Sequence, residues 1–237
     1  MKEIEVVLRA LKAIFPNPGA MEVGNPYQTL VGVILSARTR DEQVLKLLPG
    51  FFRAYPTVEK LAKAKPLEIE KYVSTIGMFR QKARNLAKMS QKVVQEFDGQ
   101  IPSTMDGLVS LAGVGRKTAS VLLVAHFGKS AIAVDTHVHR VTNRLGWVRT
   151  STPAKTEAAL LPLIPSRIQP IVNRVFVKLG RYICLPGKPR CWACPLKDVC
   201  PYPRKSLEPP KDADAILADM ARREGEVERL RHAIINL

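Results

Sequence analysis

Apolar residues recur every three or four positions along almost the whole 237-residue chain, and no segment sustains an alternation of apolar and polar residues. A period near 3.6 buries one face of a helix, whereas a half-buried strand needs a period of 2. The chain is therefore predicted to be all-α. Ile4, Val7, Leu8, Leu11 and Ile14 mark a first helix that Pro16 and Pro18 close. The Val and Ile content of 28–36 (QTLVGVILS) would also suit a strand. The polar break at 38–41 and the helical pattern of Val44, Leu45 and Leu48 behind it favour a helix. Thr57 caps a short helix at 58–63, and Pro66 opens another at 66–73. A long amphipathic helix over 82–97 turns Leu86, Met89, Val93 and Phe97 inward and stops at Asp98-Gly99. Further helices are predicted at 105–110 behind Thr104, and at 116–127, 136–145, 153–163 and 168–183. Short connections between them imply a compact helical array. Beyond the linker SLEPPKDAD, residues Ile216, Met220, Val227, Leu230 and Ile234 predict one more amphipathic helix, interrupted at Gly225.

Charge narrows the partner. Thirty-seven Lys and Arg against 21 Asp and Glu leave a formal net charge of +16, which favours a polyanion: nucleic acid or an anionic membrane face. The surplus is uneven. Residues 99–205 hold 16 basic and 4 acidic side chains, residues 1–98 hold 16 and 10, and residues 206–237 hold 5 and 7. The polyanion site is therefore expected to draw mainly on 99–205. No apolar run is long enough to span a bilayer. The opening MKEIEVVLRALKAIF mixes acids with its apolar residues and lacks a small-residue cleavage site, so it does not read as a signal peptide. The expected location is the cytoplasm, at the nucleoid in a prokaryote.

Three motifs carry chemistry. The first is helix, glycine turn, helix: Leu111-Ala112-Gly113-Val114-Gly115 followed by Arg116, Lys117 and an apolar helical pattern. Gly113 and Gly115 offer backbone amides without a Cβ to hold a phosphate away. The helix N-terminus adds partial positive charge and unpaired donors, and Arg116 adds a cation. Lys117 brings a primary amine, which becomes a nucleophile only once deprotonated. The helix N-terminus, Arg116 and burial on the apolar face are each expected to disfavour its ammonium form. The second motif, VDTHVHRVTNRLG, places Asp135 as the N-cap of a helix, with His137 and His139 in its first turns. The third is Cys184, Cys191, Cys194 and Cys200, spaced C-x6-C-x2-C-x5-C, with Lys188, Arg190 and Lys197 on the same loop. Four thiols this close read as a metal site rather than two disulfides in a chain without an export signal. Spacing alone does not separate structural zinc from an iron–sulfur cluster.

Taken together, LAGVGRKTA, VDTHVHRVTNRLG and the cysteine array resemble the endonuclease III family of DNA base-excision glycosylases, in the family's order, over about residues 20–205. The resemblance implies the two-lobed helix-hairpin-helix DNA glycosylase fold. In it, a six-helix barrel lobe spans 21–132, a cluster lobe joins 1–20 to 133–205, and 206–237 forms a linker and helical extension. Lys117 and Asp135 would face each other across the interlobe cleft. The resemblance assigns a 4Fe-4S cluster to the four cysteines, the nucleophile to Lys117 and the essential carboxylate to Asp135. His137 matches a position beside the damaged base. In the loop Ser74–Arg80, Met78 occupies the wedge position and Phe79 follows it. Arg38 stands where the family commonly has a glutamine that fills the void opposite the flipped base, which puts opposite-base preference in doubt. Lys188 and Arg190 would reach phosphates.

The implied partner is double-stranded DNA with a damaged pyrimidine or abasic site, bound by a monomer. The implied activity is removal of oxidised pyrimidines followed by β-elimination. Two alternatives remain at this point: a monofunctional mismatch glycosylase, and a non-enzymatic iron–sulfur DNA-binding module. Against the first, Lys117 is present, and Val33 stands where the adenine-removing branch places an acid. Against the second, phosphate anchoring has no use for Asp135.

Overall fold

The computed structural model describes residues 2–16 and 21–235, so Pro18 lies outside the described residues. Every regular element among them is helical. The α-helices are α1 (Lys2–Ile14), α2 (Pro26–Ser36), α3 (Asp41–Ala54), α4 (Val58–Ala62), α5 (Pro66–Val73), α6 (Phe79–Glu96), α7 (Met105–Val109), α8 (Arg116–His126), α9 (Thr136–Arg144), α10 (Pro153–Leu160), α11 (Gln169–Tyr182) and α12 (Ala213–Ile235). Single 3-10 turns occur at Ser166–Ile168 and Cys191–Ala193. No described helix is long and apolar enough to cross a membrane.

Local chemistry accounts for most boundaries. The Thr57, Thr104 and Thr152 hydroxyls accept from the backbone N–H groups of Lys60, Gly107 and Lys155 and so start α4, α7 and α10. Helix α2 begins two residues before the apolar run, because Asn25 and Gln28 form a capping box and Pro26 sits in the first turn. Helix α6 begins at Phe79 rather than 82, behind Met78 in the left-handed region at φ 58°. It ends where Asp98 and Gly99, also left-handed, let the Gly99 N–H reach back to Val93 O at 3.1 Å.

The chain divides into two compact units. One comprises Ala20–Lys129 with Arg223–Leu237. Its core gathers Leu30, Ile34 and Leu35 of α2, Leu45, Leu48 and Phe51 of α3, Ile69 of α5 and Leu86 of α6, all essentially inaccessible. The Phe51 ring stands edge-on to Phe52 at 5.7 Å and tilted to Tyr55 at 5.2 Å. The other unit comprises Met1–Gly19 with Ser130–Arg222. There Leu8 and Leu11 of α1 and Val138 and Val141 of α9 pack with Val172, Val175 and Phe176 of α11. Ile14, on the predicted inner face of α1, is instead half exposed.

Gly225 does not interrupt the last helix: α12 runs unbroken through it. A mid-helix glycine costs about 1 kcal/mol. Val227 and Ile234 lie buried in the core of the Ala20–Lys129 unit, and each contributes about 1.5–3 kcal/mol by burial, so packing outweighs propensity. Arg231 adds an ion pair with Glu228 and donates to Glu22 O at 3.5 Å. Phe51→Ala is expected to lower unfolding free energy by about 3–5 kcal/mol in a chemical denaturation experiment, whereas Leu67→Ala at an exposed site should change it by less than about 0.5.

Candidate active site and metal centre

In the Ala20–Lys129 unit, α7 and α8 are joined by a turn whose apolar residues face inward: Leu111 and Val114 are buried. Gly113 sits at φ 81°, and a Cβ there would come within 2.8 Å of Asn85 Nδ2 and 3.1 Å of Asn85 Cβ. Both the backbone and the neighbour therefore require glycine. Gly115 differs. It is extended at φ −100° and its missing Cβ faces open space, so neither backbone nor neighbours require glycine there. As the N-cap of α8 it brings no side-chain oxygen to the first turn. Arg116 and Lys117 are both exposed on this turn. Sequence reasoning had Lys117 buried against the apolar face of α8. That face is made by Ala119, Leu122 and Leu123, and Lys117 lies off it.

Two loops of the same unit carry the expected DNA-inserting residues. Arg38 is exposed at φ 56° in the connection between α2 and α3. Met78 is 55% exposed at φ 58°, immediately ahead of α6. Phe79 behaves differently from Met78: it packs partly buried on the core, with the Arg80 guanidinium 5.2 Å over its ring. Val33 is buried inside α2. One residue escaped the sequence reading. Lys82 is only 4% exposed and donates from Nζ to Thr39 Oγ1 at 2.6 Å. Burial lowers its pKa from the ordinary lysine value. Its spacing of four from Leu86, on the inward face, was the available signal.

In the other unit, Asp135 caps α9: its Oδ1 accepts from the N–H groups of His137 and Val138, both at 2.9 Å. Both cap bonds fall on one oxygen, which leaves Oδ2 outside the cap. Burial pushes His137 below the usual histidine range, with the nearby Asp135 carboxylate opposing. The Arg140 guanidinium lies 3.2 Å from His137 Nδ1, and the Gly180 backbone also faces the ring. Gly180 lets α11 approach this group: a Cβ there would fall 2.8 Å from His137 Cβ. His139 faces elsewhere, with Nδ1 2.6 Å from Thr156 Oγ1.

The four cysteines are free thiols, each half-buried, and all four line one cavity together with Arg144, Leu196 and Tyr202. Among the described residues no three Cys, His, Asp or Glu side chains converge tightly enough to hold a single metal ion. Helix α9 organises the loop. Arg140 donates to Cys184 O at 2.9 Å and Gly180 O at 2.8 Å. Arg144 donates to Leu185 O, Pro186 O and Cys184 Sγ at 2.7, 2.6 and 3.3 Å, with its guanidinium 4.4 Å over the Tyr202 ring. Burial pushes the Cys194 thiol up to about 11, so a metal would have to draw off its proton. Lys188 is exposed, whereas Arg190 donates from its guanidinium to Tyr182 O at 3.0 Å.

Residues 31–166 match the family described as HhH-GPD superfamily base excision DNA repair protein. Endonuclease III of Thermotoga maritima is 44% identical over 202 residues, covering 85% of this chain and 94% of that protein. Endonuclease III of Escherichia coli is 34% identical over 205 residues, covering 86% and 97%. A solved structure of a trapped endonuclease III–DNA covalent intermediate, an estranged-adenine complex, superposes with a TM-score of 0.78 at 35% identity, covering 85% of this chain and 95% of that one. A thermostable thymine-DNA glycosylase superposes with a TM-score of 0.75 at 27% identity, covering 85% and 96%. With its glycine-hinged helix pair, helix-only architecture and this breadth of likeness, the chain belongs to the endonuclease III family of the HhH-GPD superfamily of base-excision DNA repair proteins.

Proposed function

We propose that this chain is a bifunctional base-excision enzyme that removes oxidised pyrimidines from double-stranded DNA and cleaves the abasic site through a Schiff base on Lys117. The observation that carries the reading is the exposed amine of Lys117 in the first turn of a helix whose N-cap is a glycine, two residues from the open Gly115. The amides of that turn and Arg116 bind strand phosphates without reading sequence. Extruding the damaged nucleotide costs a few kcal/mol. The exposed, flexible and apolar Met78 intrudes into the stack, and Arg38 donates to the orphaned base or a nearby phosphate.

Chemistry then needs an amine. The free base of Lys117 attacks C1′, the N-glycosidic bond breaks, and its electron pair leaves with the base, which takes up a proton. The lysine nitrogen lone pair opens the sugar ring to an imine, and the ring oxygen gains a proton. Loss of a C2′ proton expels the 3′ phosphate, and water hydrolyses the imine to free Lys117. Water or a carboxylate could release the base but could not form the imine. Asp135, oriented by its two cap bonds on Oδ1 and with Oδ2 outside them, stabilises positive charge on the sugar or moves protons. His137 stands beside the damaged base.

Cys184, Cys191, Cys194 and Cys200 would hold a 4Fe-4S cluster. Four half-buried thiols around one cavity suit a cysteine-ligated group, and the Arg144 N–H beside Cys184 Sγ suits a ligating thiolate. When bound, the group orders the loop rather than supplying a reacting atom. Ordering the loop presents Lys188 to phosphate. Arg190 has a loop-closing bond to make, so reversing the charge of Lys188 is the cleaner probe of that contact.

Under borohydride the wild-type chain should become covalently attached to abasic or thymine-glycol duplex, and without it should cut the strand. Lys117→Gln should abolish both while DNA binding, measured by gel shift, stays within about threefold, since one charge of many is lost. Base removal without trapping would instead establish a monofunctional glycosylase, and binding with neither activity a non-enzymatic module. Anaerobically purified protein should be yellow-brown with about four irons per chain by metal analysis. One zinc per chain would overturn the cluster assignment.

A further inference from the structure

Two of the three non-glycine residues with left-handed backbone among the described residues are Arg38 and Met78, and the third, Asp98, ends a helix. Left-handed backbone at a long or β-unbranched side chain persists only where surroundings hold it. One residue touches both segments, through its backbone on one side and its side chain on the other. The Lys82 backbone N–H closes the first turn of α6 on Met78 O at 3.0 Å, while its Nζ donates to Thr39 Oγ1 at 2.6 Å, the residue after Arg38. Thr39 is itself tied back to the end of α2 by its N–H on Ser36 O at 3.0 Å.

We infer that Lys82 is a positioning residue that holds the Arg38 and Met78 loops at one spacing, so that void filling and wedge insertion occur as a single event. The inference rests on the reading that those two side chains enter the duplex. A packing role alone would favour an apolar residue at this inward position, where Leu86, Met89 and Val93 follow at helical spacing. A lysine there incurs a desolvation penalty, visible in its lowered pKa, and its donor to Thr39 is what offsets it. The hydroxyl lies 43 positions away in sequence, so the bond ties the first turn of α6 to the connection between α2 and α3.

Lys82→Met keeps the stem and removes the donor, Thr39→Val removes the acceptor at a half-buried site, and Thr39→Ser restores the hydroxyl. Each is assayed on an abasic site in a matched duplex and in a preformed unpaired bubble with duplex flanks, where no stack has to be opened. A 2-aminopurine next to the lesion reports unstacking on binding. Lys82→Met and Thr39→Val should slow duplex cleavage on the order of tenfold or more, change bubble cleavage by less than about twofold, and lose most of the fluorescence rise. Thr39→Ser should match the wild type in all three. Equal loss on duplex and bubble, or an unchanged fluorescence rise in both Lys82→Met and Thr39→Val, would overturn the inference. Thr39→Val decides the matter if Lys82→Met melts early. If the wild type cuts neither substrate the lyase reading fails separately, and the fluorescence comparison still decides the role of Lys82.

Discussion

Everything proposed for the site depends on the first turn of α8 being open. That turn has no side-chain cap, and its approach is clear because Gly115 lacks a Cβ in a direction where nothing else stands. Gly113 makes the geometry possible: no other residue would sit at φ 81° within 3 Å of Asn85 without displacing it. Leu111 and Val114 bury themselves on either side and fix the turn to the core. With glycine at the N-cap, the missing side-chain cap costs only about a few tenths of a kcal/mol.

Helix α9 is the corresponding rigid part of the other unit. Its first residue position is set by Asp135, and its last two turns send Arg140 and Arg144 into the carbonyls around Cys184. These are charge-assisted bonds to partly buried groups, and removing an arginine would leave several carbonyls without their donors, a larger effect than the loss of any exposed ion pair. The same helix thus orients a carboxylate at one end and an entire cysteine loop at the other. Loss of the loop's order would be felt at Asp135 through a single rigid element of nine residues.

What was legible in the sequence was what is determined locally. The glycine turn, the Thr57 and Thr104 caps, the Asp135 cap and the cysteine spacing all depend on residues no more than seven positions from the next one in the pattern. The start of α6 was misjudged because a left-handed Met78 is not a usual helix entry. The start of α2 was placed late although Asn25-Pro26 with Gln28 is a capping signal. Gly225 was read by propensity, and the burial of Val227 and Ile234 decided otherwise. Lys117 was expected to be buried because the helix behind it is apolar, yet its position falls on the outer side of the first turn. Lys82, Arg140 and Arg144 act on groups about 40 positions away, which no local pattern reveals.

The central claim is that one amine, that of Lys117, forms the covalent bond to DNA. The most direct measurement is to reduce the wild-type complex with an abasic duplex, digest the protein and locate the sugar remnant by peptide mass spectrometry. The account predicts a single modified residue, Lys117, adjoining Arg116. A remnant on Lys82, on another lysine or on the N-terminal amine would contradict it, and would move the reacting centre away from the open turn of α8.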